Sequence, residues 1–353
     1  LFLGGGSGIG MYLRFAAIEV VPINYNSRAM TWTLAGGCLA AFAGPEAGQA
    51  VVGKFGEGDA TTNNLYYLGI FVVTACFNVA QILFVALIKF PPPPQMQISK
   101  QKDEIDERQD DELPAGEEQA QSNHETSFRE FLSLLRQSDF LLPVAVGGLA
   151  WAIMAMPMSI CRVAMMSLGY TPRQSLTVIE CHFLGMYAPG FVSGSFIKAK
   201  GVEKSIALSV VIFLAAPLIV VIFTKDDASS NNAGVAPWYI ALILYGMGWN
   251  FAYSAASMWV MKVYATAPHW KQKVQAANEC LVFLFSGALI LSTGYIYGAG
   301  GKGLEGWKTL NYSLFGLIGL LMLLVVAAVR IKHRKKEEEE SNKDGLRRDS
   351  YFP

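Results

Sequence analysis

An all-α polytopic membrane protein with about nine transmembrane helices is the fold class this sequence predicts, on three observations. Of 353 residues, 52% are hydrophobic and only 16% charged, against roughly 25% charged residues in soluble domains. Several apolar runs reach the roughly 20 residues that a helix needs to cross a bilayer. The remaining charges are sorted: acids crowd one central stretch, and bases crowd the ends of the apolar runs. A water-soluble chain of this composition would need many helices apolar on every face, with almost no amphipathic cover. The net charge of +0 sums separated blocks, so it gives no ground for expecting a nucleic-acid partner.

The spans fall near residues 1–21, 30–51, 64–90, 139–160, 174–197, 205–223, 237–262, 274–297 and 309–331. Three precede and six follow the least hydrophobic stretch, residues 91–138. That stretch opens on Pro91-Pro92-Pro93-Pro94 and carries Asp103, Glu104, Asp106, Glu107, Asp110, Asp111 and Glu112. Proline and acid runs cannot bury enough surface to offset chain entropy, so disorder is expected there. Its end reads as a short amphipathic helix. Ser127 and Glu130 have capping-box spacing, followed by Phe128, Phe131, Leu132 and Leu135. The domains are therefore 1–90, a partial N-terminal bundle; 91–138, an acidic loop; 139–331, a C-terminal six-helix bundle; and 332–353, a charged tail.

Arg28, Lys100, Lys102, Lys198, Lys200, Lys204, Lys271, Lys273 and the bases from Arg330 to Lys336 share one set of connections. The opposite set has few. The positive-inside rule places residues 91–138 and the tail in the cytoplasm. Nine spans would then start outside. With Leu1 in place of an initiator, this leads to the expectation of a chain shortened by an odd number of spans. Five cysteines without CxxC spacing suggest neither a disulfide framework nor a metal site. A buried packing role is expected for each.

In the first span, Gly4/Gly8 and Gly6/Gly10 have the four-residue spacing of close helix contact, and no phosphate-loop pattern fits. Arg14 and Glu19 follow, then Pro22 and Arg28 in a short turn. In the second span, Pro45 removes a backbone hydrogen bond beside Gly44 and Gly48.

The arrangement Ala40-x-x-x-Gly44-Pro45-x-x-Gly48 resembles the fifth-helix motif of the major facilitator superfamily, with alanine for its first glycine. Arg28 resembles part of the family's connection between helices four and five. Gly194-Ser-Phe-Ile-Lys198-Ala-Lys200-Gly201 resembles a degenerate loop motif between helices eight and nine. Lys198 stands where an aspartate is usual, so no gating salt bridge is carried over. The resemblance implies that the spans are helices four to twelve of a partial major facilitator-like fold. Arg14-Phe-Ala-Ala, His182-x-x-Gly185-Met-x-Ala-Pro189, Gly248-Trp-Asn250-Phe and Lys273-x-Gln275-x-x-Asn278-Glu279 are similar to a bacterial permease group that includes riboflavin transporters.

Polar side chains within spans are costly and so are functional candidates. Gly246, Asn250, Tyr253 and Ser257 share one face of the span 237–262, flanked by Trp249 and Ser254. Such a stripe meets either a substrate or a partner helix; Trp249, Asn250, Tyr253 and Ser257 are the substrate-binding candidates. Glu279, beside Asn278, lies shortly after Lys271 and Lys273, a level that looks too shallow for a midplane ligand. With Arg14, Glu19 and Arg28, these two residues are the candidates for coupling or gating. Glu180 and His182 point to different helix faces, and His182 reads as a packing residue. Met154, Met156, Met158, Met165 and Met166, with Trp151, could line a flat ligand or simply pack.

The resemblance implies secondary active transport of a small organic solute by alternating access. The partners are then the small-molecule substrate, the lipid bilayer and a coupling ion or solute gradient, with no cofactor. The alternatives are a membrane-embedded enzyme using His182, which lacks any nearby nucleophile elbow or HExxH motif, or a non-transporting remnant or sensor.

Overall fold

The computed structural model describes residues 13–18, 20–56, 65–87, 129–225, 232–265 and 267–349, and every regular element among them is helical. The helices are α1 (Asn26–Ala35), α2 (Gly37–Val51), α3 (Leu68–Leu87), α4 (Ser138–Ser167), α5 (Pro172–Tyr187) and α6 (Gly190–Lys200). They continue with α7 (Val202–Phe223), α8 (Ala236–Ala265), α9 (Lys271–Leu291), α10 (Thr293–Ala299) and α11 (Gly303–Asp349). Glu19 and the Gly4–Gly10 run lie outside the described residues, as does most of the 91–138 stretch; residues 129–135, at its end, are helical.

Four segments among the described residues are long and apolar enough to cross a membrane: Ser138–Ser167, Val202–Phe223, Pro268–Ala299 and Gly303–Ile331. The other spans differ from simple apolar rods for physical reasons. The expected span 30–51 breaks at Gly36, between α1 and α2. The span 174–197 breaks at Ala188–Pro189, where proline has no N–H to continue the ladder. There the Val192 nitrogen turns to the Pro189 oxygen at 2.9 Å. α8 is 30 residues long, but its polar stripe dilutes its hydropathy. α11 runs on to Asp349, well beyond the expected span end at residue 331.

The chain divides into two compact units: Leu1–Ala29 with Ala43–Gln137, and Met30–Phe42 with Ser138–Pro353. In the first, the end of α2 and the start of α3 approach closely: a Cβ on Gly69 would lie 2.5 Å from the Val51 oxygen. The motif glycines Gly44 and Gly48 line a groove of about 180 Å³ with Thr74, Phe77 and Asn78.

In the second unit α8 is the central element, packed on α4, α5 and α7. Its early part is fixed to α11. Trp238 stacks on Trp307 at 4.7 Å and 19°, and the Tyr245 hydroxyl donates to Asn311 Oδ1 at 2.7 Å. α5 starts from a full capping box, Thr171 with Gln174, and Pro172 in its first turn. On outer helices, Phe71, Phe77 and Phe84 of α3 in the first unit are exposed, as are Leu284 and Leu291 of α9 in the second. Cys161 is buried as expected, but Cys76 and Cys280 are exposed on those outer helices. A thiol on an exposed helix face needs no packing partner, so apolar context alone does not fix its burial. Met154, Met156 and Met165 are buried within the bundle, whereas Met166 is half exposed.

Candidate functional site

Aromatic residues from four helices of the second unit converge beside α8. Trp249 stacks on Tyr253 one turn away, with ring centroids 5.1 Å apart at 22°. Trp151 of α4 meets both edge-on, at 5.1 Å and 5.7 Å. Phe283 of α9 lies 5.2 Å from Trp151, and Tyr187 of α5 stands at 88° to Trp249, 6.3 Å away. Trp249 and Tyr253 are buried, Trp151 and Tyr187 are half-buried, and Phe283 is 37% exposed. The cluster is thus an aromatic wall with buried central rings and partly exposed outer ones. Edge-to-face and offset pairs of this kind are worth about 0.5–1.5 kcal/mol beyond area burial.

The wall has a polar component. The Tyr253 hydroxyl donates to Glu279 Oε2 at 2.9 Å, and Asn278 Nδ2 donates to Glu279 Oε1 at 2.8 Å. Both carboxylate oxygens therefore accept a hydrogen bond. The indole N–H groups of Trp151 and Trp249 are buried without an acceptor among the described residues. The cluster brings together stacked rings, two indole N–H groups without an acceptor and one carboxyl group.

Glu279 is thus not separated in level from Tyr253, as its place near a helix start suggests. Tyr253 lies roughly three turns before the end of α8 and Glu279 roughly two turns past the start of α9. That leaves a difference of about 6 Å in rise for two long side chains to span.

The other predicted residues are placed as follows. Asn250 is wholly buried, and its Nδ2 donates to the Met186 carbonyl of α5 at 2.7 Å. Of the two readings of the polar stripe, this bond is the interhelical one. Ser257 returns its hydroxyl proton to the Tyr253 carbonyl, 2.8 Å away. Arg14 and Arg28 belong to the first unit. Arg14 is buried with its guanidinium 4.6 Å from the Phe15 ring centroid, and Arg28 lies 5.9 Å from that of Tyr25. Among the described residues no cluster of side chains could hold a metal ion.

His182 is wholly buried, with Nδ1 2.7 Å from the Leu242 carbonyl oxygen. Phe283 and Tyr187 are absent from the sequence-derived candidates, and Trp151 appears there only beside the methionines. Each stands on a different helix from the α8 stripe, so no local spacing signals the convergence.

The Major Facilitator Superfamily model matches residues 1–290. The riboflavin transporter RfnT of Brucella anthropi is 26% identical over 326 residues, covering 90% of this chain and 68% of that protein. An uncharacterized MFS-type transporter of Bacillus subtilis, YddS, is 22% identical over 344 residues, covering 97% of this chain and 70% of that protein.

Proposed function

The chain belongs to the major facilitator superfamily, and from that premise we propose that it moves a flat aromatic solute of the riboflavin type by alternating access. As a member of a family of membrane transporters, it is an integral multi-pass protein that handles a small solute. The finer reading rests on one observation: the aromatic wall of Trp151, Trp249, Tyr253 and Phe283, with the Glu279 carboxyl hydrogen-bonded to its Tyr253 member. A tricyclic ring system stacks on such a wall with little selectivity for its edge groups. The two indole donors and Glu279 then recognise its hydrogen-bonding edge. In this reading Trp249 and Tyr253, buried in this state, meet the solute once the wall parts from α8. Glu279 and Asn278, which tie α9 to α8 through Tyr253, serve the gating and coupling step. The positive-inside pattern supports a cytoplasmic position for residues 91–138 and for the tail.

The test is a riboflavin titration of the purified full chain in lipid nanodiscs, reading flavin fluorescence, which indole stacking quenches. Saturable quenching that lumiflavin (the ring without its chain) competes for, and ribitol does not, is the expected result. Absence of saturable quenching by either flavin overturns the reading.

A further inference from the structure

α5 and α8 touch backbone to backbone. A Cβ on Gly246 would lie 2.6 Å from the Met186 nitrogen and 2.7 Å from the His182 oxygen. One on Gly185 would lie 2.5 Å from the Ile243 oxygen. Only glycine permits this approach, and it appears once from each helix.

Besides a more exposed link between Thr177 and Tyr239, two wholly buried side-chain hydrogen bonds cross the interface, one on either side of that contact and in opposite directions. A carbonyl oxygen only accepts, so the His182 ring donates from α5 to the Leu242 carbonyl of α8, at 2.7 Å. Further along, the Asn250 amide donates from α8 to the Met186 carbonyl of α5, also at 2.7 Å. Both side chains are 0% exposed, and buried donors are the ones whose pairing matters most. The sequence neighbours of Met186 and Asn250 are Tyr187 and Trp249, the ring pair that joins α5 to the aromatic wall.

We propose that His182 and Asn250 form a two-point clasp that locks α5 to α8 and thereby sets the spacing of Tyr187 and Trp249. Both are positioning residues and neither touches the solute. The effect on binding rests on the transport reading above; the clasp itself concerns two helices and needs no ligand.

The experiment has a ligand-free arm and a riboflavin arm, both on the full chain in nanodiscs. In the first, amide hydrogen exchange is followed in segments 182–190 and 242–250 of His182→Leu, Asn250→Leu and the double variant. Either single change accelerates exchange in both helices together, and the double variant is little worse than the worse single one. His182→Asn, whose amide nitrogen stands where the imidazole Nδ1 stood, restores slow exchange and guards against a His182→Leu chain that fails to fold. Exchange that stays slow in α5 of Asn250→Leu, or effects that add in full in the double variant, overturns the clasp.

In the second arm, each single change weakens riboflavin binding about fivefold, the worth of one ordinary hydrogen bond, again without adding. Binding weakened by Asn250→Leu but untouched by His182→Leu makes Asn250 a solute ligand and overturns the positioning role. A wild-type chain that does not bind riboflavin defeats the transport reading, while the exchange arm still decides the clasp.

Discussion

The two faces of α8 are built on opposite terms. Toward α5 the helix is packed to backbone contact through Gly185 and Gly246, with His182, Met186 and Asn250 buried around it. Toward α4 and α9 it presents Trp249 and Tyr253 to a wall whose outer members, Trp151 and Phe283, are partly open. One face has given up all adjustable space, and the other keeps rings and a carboxylate whose partners can change. In the transport reading proposed above, a helix that carries the site and moves as a body needs both: a face that cannot slip and a face that can respond.

Filling the rigid face breaks this contrast most severely. Gly246→Ala places a methyl 2.6 Å from backbone, which no side-chain rotation relieves. Alanine's better helix propensity, about 1 kcal/mol, offsets only part of the overpacking strain. A stability loss of about 2 kcal/mol or more is expected, read as a fall in the thermal midpoint of the detergent-purified chain. An unchanged midpoint would mean that α5 and α8 do not meet as described.

On the responsive face the largest change is at the polar link. Tyr253→Phe removes the donor 2.9 Å from Glu279 and keeps the ring stacked on Trp249. A hydrogen bond to a charged group is worth about 1.5–3 kcal/mol. Because Glu279 is half-buried and keeps Asn278, a loss near 1.5 kcal/mol is expected. Denaturant titration of wild type, Tyr253→Phe, Glu279→Gln and the double variant isolates the pair; zero coupling energy removes the link. Trp249→Phe is milder. It keeps an aromatic face but drops the indole N–H and part of the stacking area. Riboflavin affinity should fall by about 1 kcal/mol, measured by fluorescence quenching; because Trp249 is wholly buried, the smaller ring also leaves a cavity that lowers the thermal midpoint.

The helical class, the apolar runs and the polar stripe of α8 are legible in the sequence because each is a local pattern. Asn250, Tyr253 and Trp249 stand out for the same reason: polar or aromatic groups in an apolar helix. Pairing is another matter. Tyr253 and Glu279 are 26 positions apart, and counting turns from a helix start says nothing of which side chain leans toward which. The breaks at Gly36 and Ala188–Pro189 are hard to foresee, since Pro143, Pro157 and Pro217 sit inside unbroken helices. The role of Asn250 turns on Met186, whose backbone oxygen has no sequence signature at all. The family resemblance found in the motifs does reach further, since a match over residues 1–290 bears it out.

The smallest expected effect is the sharpest control on the comparison, because it repeats the first substitution on the other face. Gly147 of α4 looks at the wall side of α8. A Cβ there would lie 3.2 Å from Val282 Cγ2, 3.8 Å from Tyr253 Cδ2 and 3.9 Å from the Ala256 Cβ. The nearest atom is a side-chain methyl, free to give by a few tenths of an ångström, and the other two distances are ordinary contacts. Gly147→Ala also gains helix propensity, about 1 kcal/mol for a helix-interior position. Strain and propensity nearly cancel, so the thermal midpoint should move by less than the equivalent of about 0.5 kcal/mol in either direction. Riboflavin binding should change as little, since the methyl lies behind the Tyr253 ring edge and leaves the Trp249 face alone. A loss as large as that of Gly246→Ala would mean that the wall face is packed as rigidly as the clasp face, and the division between them would fail.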